Sequence, residues 1–181
     1  MAAPHEIAGD LFRAGDEDPQ YFPDFFAEGL TGSELVAIFG TLQSAAGPWT
    51  ERDYVWHKER AVAVPVASVP NAAELVVSGE GHQFHVSINE LVQRGVRLPQ
   101  LGLFVAMGAD GAGALAFHYR FDEGWSDEAV DALFDLLAEI REAAPRARFS
   151  FDTNFPEPKR NSFVTAIDAA SEQRGGSVRA V

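Results

Sequence analysis

Four side chains could do chemistry together, namely His85, His118, Arg120 and Asp152. His118 and Arg120 fall on the polar side of one predicted strand, and the other two residues lie on two further strands. If those strands are neighbours, two imidazoles and a carboxylate could bind a metal ion or transfer protons. The alternative is that all four are ordinary solvent-facing residues of an antiparallel sheet. The sequence leaves both readings open, because strand order decides between them.

No sequence motif dictates a reaction. The chain has no Cys, no His-Glu-x-x-His pattern and no Gly-x-Ser-x-Gly pattern. His82 and His85 are three residues apart, so in a strand they would point to opposite faces. The glycine-rich run 108–113 lacks the Lys-Ser/Thr of a phosphate-binding loop and is better explained as a hairpin turn. We therefore predict no cofactor and no dedicated metal site.

The stretch from 101 to 144 has the strongest structural pattern. Two segments, Leu101–Met107 and Ala114–Asp122, lie on either side of Asp110-Gly111, and in each the side chains alternate between two faces of a strand. This pattern predicts an antiparallel hairpin with one face exposed to solvent. Ser126 then has the position of an N-cap for one long amphipathic helix. This unit would place His118 and Arg120 on the open side of a sheet.

Capping patterns and alternation predict the other elements. Thr31-Gly-Ser-Glu34 is a capping box that begins a first helix. The remaining predictions are a long strand 53–64, short strands 74–77 and 82–86, a short helix 87–94, a strand 147–152 and a last helix from 161 or 162 to 170. Together they predict an α+β fold, with one antiparallel sheet of about five or six strands and helices packed chiefly on one face.

Length and composition indicate one folded domain. The 181 residues are 46% hydrophobic, which excludes disorder as the main state. We predict a mobile acidic arm at 1–20, a single domain at 21–172 and a frayed tail at 173–181. The start of the chain lacks the pattern of a secretory signal, and no apolar run is as long as a membrane span, so a cytoplasmic location is expected.

The charge balance restricts the partners. The net charge is −13, from 14 basic and 27 acidic residues. Nucleic acid and anionic membrane surfaces are disfavoured, because both require a basic patch. Electrostatic steering instead favours a basic protein partner.

Two surfaces are candidates for binding a partner. The first is acidic and lies along the predicted long helix, at Asp131, Asp135, Glu139 and Glu142. No basic residue of the same helix lies four positions away to relieve their repulsion, so this face is either simply solvated or a docking surface. The second is aromatic and consists of Phe22, Phe25 and Phe26. It either packs on the core or contacts a second subunit.

The element order from Thr31 to Ala144 resembles that of bacterial type III secretion chaperones and their structural relatives, most closely over Leu101–Ile140. Members of that class are acidic, non-catalytic homodimers that hold a partner segment against an exposed sheet and helix surface. The resemblance implies a homodimeric chaperone, adaptor or inhibitor. The strand and helix predicted after Pro145 depart from the family pattern, and no family site residue is carried over.

Two other functions remain open at this stage. One is a small enzyme or metal-binding domain built on the histidine and carboxylate cluster of His85, His118, Arg120 and Asp152. The other is an immunity-type inhibitor of a basic toxin, which follows from the same charge argument as the basic partner.

Overall fold

The computed structural model describes residues 2–13, 22–121 and 124–178. This part of the chain forms five α-helices and nine strands, which confirms the predicted α+β class. The helices are α1 (Pro4–Ala8), α2 (Gly32–Ala45), α3 (Ala73–Val77), α4 (Asp127–Ala143) and α5 (Glu157–Val178). The strands are β1 (Asp24–Leu30), β2 (Tyr54–His57), β3 (Val62–Pro65), β4 (Phe84–Ile88), β5 (Val92–Gln93), β6 (Val96–Arg97), β7 (Leu101–Met107), β8 (Gly113–His118) and β9 (Arg148–Phe151). None of the described helices combines the length and the apolar character that a membrane crossing requires.

The main sheet has five antiparallel strands in the order β4-β7-β8-β1-β9. Strand β1 comes first in the chain but lies inside the sheet, between β8 and the edge strand β9. The two remaining pairs, β2–β3 and β5–β6, are separate hairpins. The sheet therefore joins the N-terminal part of the chain to the hairpin in its centre and to the strand near its end.

The core lies between one face of the sheet and the helices. Phe25 of β1 is fully buried and stacks on Phe117 of β8, with ring centroids 5.0 Å apart. On the helix side, Phe25 also contacts Phe163 of α5 at 5.4 Å, and Phe39 of α2 meets Phe84 of β4 at 5.3 Å. Large apolar side chains of this kind give most of the stability of such a core. Helices on this face confirm the predicted layering.

The strongest local signals are confirmed. Thr31 caps α2, since its Oγ1 accepts the Glu34 N–H at 3.2 Å and the Glu34 carboxylate accepts the Thr31 N–H at 2.7 Å. Ser126 caps α4 by accepting the Ala129 N–H at 3.2 Å. The hairpin of β7 and β8 turns where Gly111 has φ of +80°. These signals act within a few residues of the chain, so they do not depend on long-range packing.

Two predicted strands are wrong. The long strand 53–64 is instead the hairpin of β2 and β3, because the chain reverses at a turn over 58–61, where Ala61 has φ of +50°. Residues 74–77 lie in the helix α3. The side chain of Asn71 accepts the Ala73 N–H at 3.0 Å and donates to the Val36 carbonyl at 2.7 Å, so it fixes the start of this helix against α2. This tertiary contact overrides the β-propensity of the Val pair.

The predicted helix 87–94 is also wrong. Strand β4 continues through Ile88, and the Ser87 N–H is bound by the Asp53 carboxylate at 2.9 Å. The chain then forms the hairpin of β5 and β6, whose two turn residues, Arg94 and Gly95, have φ of +49° and +80°. Two successive positive φ values are typical of a tight hairpin turn and incompatible with a helix.

The ends of the chain are more ordered than predicted. Phe12 is fully buried against Trp125 and Tyr119, with ring centroids 4.7 Å away in both cases. The prediction of a mobile arm is therefore wrong for the segment from Pro4 to Phe12, whereas 14–20 lie outside the described residues. The frayed tail predicted from 173 is likewise part of α5 as far as Val178.

Candidate functional site

The face of the sheet opposite the helices is the candidate functional surface. Its centre, which we name the open face, consists of the outward-pointing residues Phe26, Phe104, Ala106, Ala114 and Ala116. All five are half-buried, whereas the residues that alternate with them point to the core and are buried. Polar residues occupy the two ends of this face. The end near His118 brings together the groups that could do chemistry.

His85 and His118 are in direct contact at that end. Their Nε2 atoms are 3.0 Å apart, with ring centroids at 4.6 Å and ring planes inclined by 14°. His85 lies on the edge strand β4 and His118 on β8, so the contact crosses the intervening strand β7. We name this contact the histidine pair. The condition that the strands bring the two imidazoles together is therefore met.

Gly102 of β7 makes the crossing possible. It is the register partner of His118, and the His118 ring lies over it. A Cβ atom at position 102 would be 1.7 Å from His118 Nε2, which is far inside van der Waals contact. A glycine in the interior of a strand commonly marks such a close approach. The glycine between Leu101 and Leu103 is the sequence signal of this close approach.

The electrostatic environment favours neutral imidazoles. Partial desolvation lowers the pKa of His85, against an opposing effect of the Asp53 carboxylate. Desolvation also lowers the pKa of His118, and the neighbouring His85 lowers it further. Near neutral pH one ring then donates its N–H to the unprotonated nitrogen of the other. Such a pair can accept a proton or offer two nitrogen lone pairs to a ligand.

Carboxylates continue the row of titratable groups across the sheet. Asp24 of β1 is the register partner of His118, and its backbone carbonyl accepts the N–H of Asp152 at 2.9 Å. Burial raises the pKa of Asp24, and the charge of Asp152 raises it further. Asp152 itself is only 6% exposed and accepts the Asn154 N–H at 2.9 Å. Sequence reasoning named Asp152 but missed Asp24, because it did not identify the strand β1.

A cleft opens beside the histidine pair. Its volume is about 160 Å³, and the side chains of Phe22, Ser87, Gln100 and Arg120 line it next to His118. Arg120 lies over the ring of Phe22 at 5.1 Å, and the same ring meets His118 edge-on at 6.4 Å. The four predicted site residues thus lie at one end of one face. Across the described ranges, no three His, Cys, Asp or Glu side chains are grouped closely enough to hold a metal ion by themselves.

The predicted acidic surface is not a free surface. Asp135 is only 5% exposed and forms ion pairs with Arg94 at 2.5 Å and with Arg174 of α5 at 3.2 Å. Glu139 accepts from Arg174 at 2.8 Å, and Asp131 accepts from both the backbone N–H and the ring of His5 at 2.8 Å. The expectation of unrelieved like charges is wrong, because the cations come from other elements than α4.

The aromatic segment divides between core and surface. Phe25 is part of the core and cannot contact a partner. Phe26 belongs to the open face, and Phe22, which is 41% exposed, lines the cleft. The prediction of a shared contact surface is therefore wrong for Phe25. The alternation follows from the strand geometry of β1, in which neighbouring residues point to opposite faces.

We predict that Gly102→Ala separates the histidine pair. The new Cβ displaces the His118 ring, while the sheet stays folded because only the end of a side chain has to move. The NMR signals of His85 and His118 should then titrate at higher pH than in the wild type. Unchanged titration of both rings would show that Gly102 is not needed for the contact.

We predict that the pKa values of the histidine pair and of His5 are shifted in opposite directions. His85 and His118 should titrate below the ordinary value of 6.5, with apparent pKa values that belong to the pair. His5 should titrate above it, because its hydrogen bond to Asp131 raises its pKa. Proton NMR of the ring hydrogens, assigned with single His→Gln variants, measures all three. Titration of the pair above 6.5 would contradict the desolvated geometry.

The histidine pair and His5 change the stability of the fold in opposite directions as the pH changes. The contribution of the pair is present above pH 6.5 and is lost as the pH falls from 6.5 through the lowered folded-state pKa values. The contribution of His5 is fully present below pH 6.5 and is lost as the pH rises through its raised pKa. Denaturant melts of His118→Gln and His5→Gln at pH 5 and pH 8 check both directions.

We predict that Arg174→Met destabilises the fold by about 1–3 kcal/mol, which is less than for a fully buried ion pair because Arg174 is partly exposed. The change keeps the apolar stem but leaves the buried Asp135 with one cation fewer. The matched control is Arg52→Met, because Arg52 is exposed and has no ion pair within the described residues. Equal unfolding free energies for the two variants would contradict a structural role of the network.

Comparisons of the chain with known protein families, with curated proteins and with solved structures found no match. The resemblance to type III secretion chaperones therefore stays a prediction. The open face and the histidine pair are the structural grounds on which a function can be argued.

Proposed function

We propose that the protein is a non-catalytic protein-binding module that acts through the open face, and that a second copy of the same chain is its first partner. One observation carries this proposal. The solvent-facing side of an antiparallel sheet normally carries polar side chains. Here the centre of that side is occupied by Phe26, Phe104 and three alanines. These side chains are half-buried, and apolar side chains that stay partly accessible on such a face are candidates for an interaction site.

The arrangement of these side chains is self-complementary. Phe104 and Phe26 are the register partners of Ala116 on its two sides, so one row reads Phe-Ala-Phe across three strands. The next row holds Ala106 and Ala114 and continues with Glu28 of β1 and Arg148 of β9, which border the apolar centre. The alanines of β8 and β7 leave a shallow trough beside the phenylalanines. A two-fold related copy can place its own phenylalanines in this trough at the usual sheet separation of about 10 Å.

The net charge of the chain also favours the open face as the interface. Two copies with a net charge of −13 repel each other, so their contact must avoid the acidic surface. The five residues of the open face carry no charge, and the acidic helix α4 lies on the opposite side of the sheet. Contact through the open face keeps the charged surfaces of the two copies apart.

The open face replaces the surfaces predicted from the sequence. Asp135 and Phe25 are buried, so partner binding through them would require the fold to open. Asp131 and Glu139 form ion pairs within the chain but remain partly exposed, so a role in partner binding stays a prediction for them. A role as chaperone, adaptor or inhibitor of a basic protein stays a prediction, and so does the type of partner beyond a second copy. In each case the open face is where we expect the partner to bind.

We predict that Ala116→Glu converts a dimer to a monomer. A carboxylate in the trough must be desolvated at the interface, so the dimer dissociation constant should rise at least about tenfold, which corresponds to about 1.4 kcal/mol. The matched control is Ala63→Glu, which introduces the same charge at an exposed position of β3. Light scattering on a size-exclusion column measures the mass of each, and thermal melts check that both variants are folded.

Three outcomes are informative. A wild-type mass of two chains, with a folded monomer only for Ala116→Glu, supports the proposal. A wild-type monomer at both low and moderate salt would overturn it. A dimer that withstands Ala116→Glu would show that the copies meet elsewhere, which also overturns the open face as the interface.

A further inference from the structure

The histidine pair has the spacing of two ligands of one metal ion. Transition metals bind imidazole nitrogen at 2.0–2.1 Å, so two adjacent ligands are about 2.8–3.4 Å from each other. The Nε2 atoms of His85 and His118 are 3.0 Å apart. When the shared hydrogen is lost, the two rings can turn so that both Nε2 lone pairs point to one metal ion at this separation.

The strands hold the two rings in this position. His118 is fixed over Gly102 by the strand register, since only glycine leaves room for the ring. The position of His85 on the edge strand β4 is fixed by Asp53, which is 3% exposed. One carboxylate oxygen of Asp53 accepts the Ser87 N–H at 2.9 Å, and the other accepts the N–H and the hydroxyl of Thr50. Ligands on paired strands are more precisely placed than ligands on loops.

We propose that His85 and His118 bind a divalent transition-metal ion of the zinc, nickel or copper class through their two Nε2 atoms. Imidazole nitrogen suits these ions, whereas Mg²⁺ and Ca²⁺ prefer oxygen ligands. The inference does not depend on the proposed dimer, because both ligands come from one chain.

The proposed site has an open coordination sphere. The described part of the chain supplies no group of three metal-binding side chains here. The remaining positions are taken by water or by a small ligand from the adjacent cleft, where Ser87, Gln100 and Arg120 provide polar contacts. A closed set of four protein ligands is typical of structural zinc, whereas an open position allows ligand exchange. The ligands that complete the coordination sphere are thus exchangeable.

Calorimetric titration of the full chain with Zn²⁺ at pH 7.5, after treatment with a chelator, tests the proposal. We expect one saturable site per chain. His85→Ala and His118→Ala should each weaken binding more than tenfold. The matched control is His82→Ala, which removes an exposed histidine only three residues from His85 and should leave the affinity unchanged.

Gly102→Ala provides a second and independent variant. It retains both histidines but displaces the His118 ring, so it should also weaken Zn²⁺ binding more than tenfold. Nitrogen NMR of the wild type should show that Zn²⁺ shifts the Nε2 resonances of His85 and His118 and not those of the other histidines. Circular dichroism confirms that each variant is folded.

The proposal is overturned if a tenfold excess of Zn²⁺ gives neither heat nor Nε2 shifts. It is also overturned if binding survives both His→Ala substitutions or is lost in His82→Ala. Masses measured on the same samples distinguish a failure of the metal proposal from a failure of the dimer proposal. Ala116→Glu should still bind Zn²⁺, and His118→Ala should keep the mass of the wild type.

Discussion

The fold depends on the pairing of β1 between β8 and β9. Phe25 in the middle of this strand stacks on Phe117 and contacts Phe163 of α5, so the strand joins the central hairpin to the C-terminal helix. The residues on either side of Phe25 point the other way. Asp24 is thereby brought beside His118, and Phe26 completes the open face. One strand with a period of two thus determines both the packed core and the exposed surface.

A second set of contacts, the ion pairs of α4, offsets the repulsion among the acidic residues of that helix. The carboxylates of α4 repel one another along the helix, but cations from three other parts of the chain neutralise them. Arg174 comes from α5, Arg94 from the turn between β5 and β6, and His5 from α1. Ion pairs of this kind contribute modestly one by one. Their structural effect is to attach the two ends of the chain and one hairpin to the same helix.

The two faces of the sheet differ in composition. The inner face is filled with large apolar side chains and requires the helices. The open face combines an apolar centre with a polar end at which two imidazoles meet across Gly102. We propose that the apolar centre contacts another protein surface and that the histidine pair and its cleft bind an ion or a small ligand. The two regions are adjacent, because His85 is the register partner of Phe104.

Elements with strong local signals were predictable from the sequence alone. The caps at Thr31 and Ser126 and the turn at Gly111 act through hydrogen bonds and backbone angles within a few residues. The α+β class and the one-sided packing follow from the same alternation patterns. The sequence also named His85, His118, Arg120 and Asp152 as residues that could act together if their strands were neighbours.

Only the tertiary structure decided which strands are neighbours and which charges are paired. Residues 74–77 favour a strand by propensity, yet Asn71 fixes them as a helix against α2. The acidic face of α4 looks unrelieved in sequence because its partner Arg174 is 35 residues away from Glu139. Likewise, His85 and His118 are 33 residues apart and meet only because β7 carries a glycine at their crossing point. Such contacts depend on strand order and register, which nonlocal packing determines and local pattern does not encode.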